Sequence, residues 1–241
     1  MLRRTFFAAI LTLISAGAQA DTNIRNLNVI IIPQSDFRLL SEDLGAAFSY
    51  KAVAPAEPLG LTGFDIGLEA TATKLENSTI LQRASADNTS STLVIPKLHI
   101  HKGLPLGLDI GAFYSSVPNS NIELWGAELR YALLTGSATT PAVAVRGSYT
   151  TLQGVDQLDF DTKAIDVSIS KGFTLLTPYA GIGKVWVDST PDSSTGLRPE
   201  DFSYSKYFVG VNFNFGLINI AMETDETGDA TSYSAKFGWR F

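Results

Sequence analysis

Cysteine is absent from the 241 residues. That excludes disulfides, a thiolate metal site and a cysteine nucleophile at a stroke. Histidine is nearly absent, with His99 and His101 the two in the chain, so few side chains can move protons near neutral pH. After residue 20 no uninterrupted run of eighteen apolar residues occurs, which excludes a transmembrane helix. There is no basic stretch either, and acidic side chains outnumber basic ones by 24 to 18. Nucleic acid is therefore not an expected partner, and no metal or cofactor is expected.

What is present begins with an export signal. Arg3 and Arg4 open the chain, an apolar core follows from Phe6 to about Ile14, and Ala18-Gln19-Ala20 supplies a small-x-small cleavage pattern before Asp21. These are the three parts of a secretory signal peptide, residues 1–20, whose core is too short to span a bilayer as a helix. Removing Arg3 and Arg4 takes the net charge from -6 to -8.

Beyond residue 61 the dominant signal is alternation with period two, in segments long enough for tilted membrane strands, broken by Gly, Pro, Ser, Asn and Asp. Ten segments are read: 63–73, 92–101, 106–117, 122–133, 142–152, 159–173, 177–188, 202–215, 217–223 and 231–241. In the first, Phe64, Ile66, Leu68 and Ala70 oppose Asp65, Gly67 and Glu69. In the last, Tyr233, Ala235, Phe237, Trp239 and Phe241 oppose Ser232, Ser234, Lys236, Gly238 and Arg240. Aromatics at segment ends (Tyr131, Tyr149, Tyr179, Phe202, Phe241) suit girdles at two membrane interfaces. The expected fold is all-β, a closed antiparallel transmembrane barrel of ten strands over residues 62–241.

The ending, from Tyr233 to Phe241, resembles the terminal strand of bacterial outer-membrane proteins, in which a final phenylalanine is an assembly signal. The layout as a whole resembles small barrels of the OmpA and OmpW type. The resemblance implies an outer-membrane location, contact with lipid and lipopolysaccharide, and recognition of Phe241 by the barrel-assembly machinery. With the carboxyl terminus periplasmic, connections near 74–91, 117–121, 152–158, 189–201 and 224–230 face outward. Those near 102–105, 134–141, 174–176 and 216 face the periplasm.

Residues 21–61 admit two readings. Ser35 as N-cap followed by Phe37, Leu40, Leu44 and Phe48 gives a helix over 35–48, periplasmic or inserted in the lumen. Alternation through Leu44, Ala46, Phe48, Tyr50 and Ala52 instead suggests extra strands at 28–32 and 46–54, which would make twelve. The ten-strand layout with a helix is preferred.

Inward positions carry the chemistry. Asp65, Glu69, Asp109, Glu128, Asp166 and Glu223 are expected in the lumen with Arg130, Arg146, Lys184, Lys206, Lys236 and Arg240. Equal numbers of each sign suggest mutual pairing, since an unpaired charge away from water is costly. His99 and His101 share one face of their strand beside Lys97. No His-x-Ser pattern or third ligand accompanies them, so they read as polar lumen residues and no catalytic residue is assigned. Asp188, Asp192 and Glu200 read as part of a solvated loop. Gly181-x-Gly183 has no following helix and is no nucleotide loop. The preferred function is a structural or surface-interaction barrel with a charge-paired lumen. A small pore or transporter is the alternative, and a lipid-modifying barrel enzyme comes third.

Overall fold

A computed structural model describes residues 32–85, 90–117 and 120–241; the expected signal peptide lies outside them. Ten antiparallel strands close on themselves, each beside its sequence neighbours and the last beside the first. They are β1 (Phe64–Lys74), β2 (Thr92–Gly103), β3 (Leu108–Ser116), β4 (Glu123–Thr135), β5 (Ala142–Gln153), β6 (Leu158–Ser170), β7 (Leu176–Pro191), β8 (Glu200–Phe215), β9 (Ile218–Thr227) and β10 (Ala230–Arg240). Register across the seam pairs Asp65 with Arg240 and Lys74 with Thr231. Phe241 completes that seam. Its amide donates to the Phe64 carbonyl at 2.9 Å, its carbonyl accepts from the Phe64 amide at 2.5 Å, and the two rings stack at 5.9 Å.

The period-two pattern works as the sequence suggests. Leu68, Leu98, Ile100, Ile110, Leu129, Ile165, Val167, Ile182, Val209 and Met222 are exposed on the outer face. Trp125, Tyr149, Trp186 and Tyr233 lie toward one end of this belt and Tyr131, Phe173, Phe215, Trp239 and Phe241 toward the other. Water would penalise such a surface, whereas a bilayer with interfacial aromatics accommodates it. The barrel's two ends also differ. One, the turn end, carries the short connections after β2, β4, β6 and β8, together with the start of β1 and the end of β10. The other, the loop end, carries the long β1–β2 and β7–β8 connections. The expected loop at 224–230 shrinks to Gly228 and Asp229, because β9 continues to Thr227.

Two α-helices, α1 (Gln34–Phe48) and α2 (Ser78–Ser85), and two short 3-10 turns, Pro105–Gly107 and Ser193–Thr195, complete the described elements. The strand reading of residues 46–54 fails. Residues 46–48 finish α1 and the rest are irregular, because Phe37, Leu40, Leu44 and Phe48 form one apolar helical stripe that is fully buried. Its companion at 28–32 falls almost wholly outside the described residues. The helix also starts one residue before the expected cap. Pro33 takes that position, its carbonyl accepting the amides of Asp36 and Phe37 at 3.0 Å each. Ser35 lies inside the first turn with its hydroxyl toward Asp36.

Candidate functional site: an occupied lumen

Residues 32–63 run through the barrel, buried almost throughout 40–56 and exposed at Pro33, Ser35, Glu57 and Gly60 to Thr62 at the two ends, and the hydrogen bonds trace their path from one end to the other. At the loop end, the Gln34 amide group donates to the Arg198 carbonyl at 3.1 Å and accepts from the Arg198 amide at 2.9 Å. Arg38 pairs with Glu200 at 3.2 Å while lying over the Phe202 ring, and Asp36 pairs with Arg83 of α2 at 2.5 Å. One turn further in, Asp43 accepts from the amides of Glu76 and Asn77 at 3.2 and 2.8 Å. Burial pushes the Asp43 carboxyl up, and those amide donors oppose the shift.

Below α1 the chain is irregular and is gripped by charged wall residues. Lys51 donates to Asp225 at 2.5 Å, with both side chains fully enclosed. Lys206 donates to the Tyr50 carbonyl at 2.7 Å, and Arg130 to the Pro55 carbonyl at 2.7 Å. Asp109 accepts the Leu59 amide at 3.1 Å, and Lys102 donates to the Leu61 carbonyl at 2.5 Å, at the turn end. Between these grips Val53 holds a positive φ of 45°, a conformation that a β-branched residue adopts only when its surroundings impose it.

Packing accounts for the helix at the loop end. Inward residues there are apolar: Leu93 and Ile95 of β2, Leu124 of β4, Leu152 of β5, Leu158 and Phe160 of β6, Val185 and Val187 of β7. They form one cluster with Phe37, Leu40, Leu44 and Phe48. Phe48 meets Phe160 edge-on at 5.6 Å. The fit is close enough to require glycine, since a Cβ on Gly45 would stand 2.7 Å from Val187 Cγ2. The lumen is therefore apolar near the loops, and polar and charged elsewhere. A ten-stranded interior, barely wider than one its own side chains fill, houses a whole chain segment.

Most expected lumen charges face inward and find partners. Arg146 makes a two-pronged contact with Asp166 at 3.0 and 2.8 Å and reaches Glu128 at 3.5 Å. Arg130 holds Asp109 at 2.6 Å. Asp65 accepts from Arg240 at 2.7 Å and from Lys236 at 3.2 Å. Glu69 is paired with Lys97 at 2.9 Å, a residue that alternation had placed beside the histidines without a role. Lys206 serves the Tyr50 carbonyl instead of a carboxylate, and both oxygens of buried Glu223 lack a hydrogen-bond partner among the described residues.

Lys184 departs from its expected place. It is exposed on the outer face, its amine 5.5 Å from the centre of the Trp186 ring. The reason is that Tyr179, Val185 and Val187 turn inward, the two valines to meet α1, so β7 presents the opposite face from the one its composition suggests. Lys184 stands near the loop-end aromatics, where its long stem can lead the charge toward the interface. Tyr179 and Phe202 likewise face the lumen and not the girdle, with Tyr179 3% exposed.

His99 and His101 lie inside as expected, buried to 0% and 3% exposure. His99 Nε2 is 2.8 Å from Glu69 Oε2, close but off-axis for a hydrogen bond. His101 Nε2 lies 3.3 Å from the Tyr50 hydroxyl and 3.5 Å from Glu128 Oε1. The space for this imidazole comes from Gly111, where a Cβ would sit 2.2 Å from His101 Cδ2. A Tyr–His–Glu row of this kind can shift protons, and here Tyr50 and the wall cover it. Among the described residues no group of three or more His, Asp or Glu side chains is arranged to hold a metal ion.

No protein-family model matches the chain, and no curated protein matches it. Solved structures with a similar architecture include the N-terminal β-barrel domain of Pseudomonas aeruginosa OprF, at 12% identity and a TM-score of 0.37, over 76% of this chain and 99% of that one. The KdgM porin is similar at 11% identity and a TM-score of 0.38, over 73% and 99%. Neisserial surface protein A is similar at 11% identity and a TM-score of 0.28, over 73% and 95%. These are similarities of architecture alone.

Proposed function

We propose that this chain is a closed outer-membrane barrel, exported by residues 1–20, whose role is structural or surface-interacting and not catalytic or solute-conducting. The observation that carries the reading is the occupied lumen: a segment of the chain itself runs the length of the pore and is fixed by ion pairs and backbone hydrogen bonds at successive depths. The apolar belt between two sets of aromatics supports the membrane location. The paired seam at Phe241 supports its part in closing the barrel and in recognition by the assembly machinery. Burial of the histidines behind Tyr50 supports the non-catalytic reading, since catalytic groups need access to a substrate. Contacts with lipid and lipopolysaccharide belong to the outer face.

Density fractionation combined with liposome swelling tests the reading. The native chain should sediment with outer membranes and migrate differently on gels before and after heating. Liposomes containing it should resist swelling in small sugars. A soluble periplasmic chain, or swelling as fast as with an open porin, would overturn it.

A further inference from the structure

The path of residues 32–63 fixes on which side of the barrel the chain begins. β1 starts at the turn end with Phe64, yet Gln34, Arg38 and Asp36 are tied to Arg198, Glu200 and Arg83 at the loop end. Everything between passes down the lumen, inside a wall whose ten strands are hydrogen-bonded all the way round. No lateral gap exists in that ladder through which a finished segment could enter. The segment either threads the pore or is already in place when the seam between β1 and β10 closes.

Between Tyr50 and Leu61 the wall holds the chain largely through its backbone. Lys206 and Arg130 bond the carbonyls of Tyr50 and Pro55 and Asp109 bonds the amide of Leu59, while Lys102, at the turn-end rim, bonds the carbonyl of Leu61. Such groups are common to every peptide chain. Ala52, Ala54 and Ala56 in the same stretch carry small side chains, so there the grip falls on the backbone, while Lys51 is held through its side chain by Asp225.

We propose that the barrel carries the chain preceding β1 through its own lumen to the loop side, and so displays on the cell exterior whatever polypeptide is joined ahead of α1. This rests on the reading of the loop side as the cell exterior. The cargo class is an unfolded or extended peptide, because folded α1 and the charged wall leave no room for a globular domain to pass.

Epitope placement tests it in the full-length chain. One short epitope is inserted between Asp21 and Thr22, and separate chains carry it at Ser194 in the β7–β8 loop or at Ala138 in the β4–β5 turn. The first two should bind antibody on intact cells at least ten-fold above the Ala138 insertion, which should react only after permeabilisation. An N-terminal epitope that behaves like Ala138 would overturn the proposal. If Ala138 is exposed on intact cells and Ser194 hidden, the assigned membrane orientation fails. Passage through the lumen is then upheld if the N-terminal epitope follows Ser194 and refuted if it follows Ala138. Should an insertion block folding, as heat-modified mobility would report, Ser35→Cys serves instead. The chain has no other cysteine, so an impermeant maleimide added to intact cells reads its side directly, and labelling only after permeabilisation would refute display.

Discussion

Replacing Arg146 by alanine removes the hub of the buried charge network. Its guanidinium makes two hydrogen bonds to Asp166, contacts Glu128 at 3.5 Å and lies 5.6 Å from the Phe208 ring centre. Asp166 and Glu128 are 2% and 5% exposed, so the variant strands two carboxylates away from bulk water. Breaking a buried pair in this way costs roughly 3–5 kcal/mol. For a domain of this size about 1 kcal/mol moves the melting midpoint by about 2–4 °C, so a fall of about 6–20 °C is expected. The assay is the temperature at which the barrel loses its compact gel mobility. Adding Asp166→Asn and Glu128→Gln to the same chain should recover much of the loss, because the stranded charges vanish. In an open, hydrated pore the same arginine would be solvated, and its loss would change ion selectivity with little effect on stability. An unshifted midpoint for Arg146→Ala would therefore refute the packed-lumen reasoning.

Lys51→Met strands Asp225, enclosed at 0% exposure, without its cation. The variant should melt lower by roughly 6–20 °C, and Asp225→Asn in the same chain should recover much of it; an unshifted midpoint would contradict the pairing. Gly45→Ala gains helix propensity of up to about 1 kcal/mol but forces a methyl against Val187 Cγ2, an overpacking cost of roughly 1–3 kcal/mol. The variant should melt lower, and Val187→Ala should suppress the defect; a stabilised Gly45→Ala would show that α1 docks elsewhere. Phe241→Ala keeps the seam's backbone bonds yet loses the exposed ring. Its yield of heat-modifiable barrel should fall several-fold, more than for Val209→Ala in the middle of the belt, and equal yields would remove the assembly role.

The strands were legible because lipid and lumen impose opposite demands on alternate residues, and β1 and β10 obey both along their length. Alternation weakens where the inner face is apolar too. Leu93-Val94-Ile95 and Val185-Trp186-Val187 are continuous apolar runs, the pattern of strands buried on both sides. In those runs lay the available sign that something apolar occupies the loop end. With Val185 and Val187 turned in to meet α1, β7 faces the other way and Lys184 lies outside. The stripe of α1 identified a helix, but no periodicity within one element says which end of a barrel it enters. The Lys51–Asp225 and Lys97–Glu69 pairs were likewise hidden, since each joins residues brought together by closure and not by spacing.

On this reading residues 34–59, α1 and the irregular segment below it, close the pore. Single-channel recording checks this, with wild type set beside a chain whose residues 34–59 are replaced by a Gly/Ser linker of equal length. That change deletes the α1 packing and the Lys51, Tyr50, Pro55 and Leu59 contacts while leaving every strand intact. Wild type should stay electrically silent, and the linker chain should show discrete openings through the lumen. Stable wild-type openings of the same size in both chains would contradict the account.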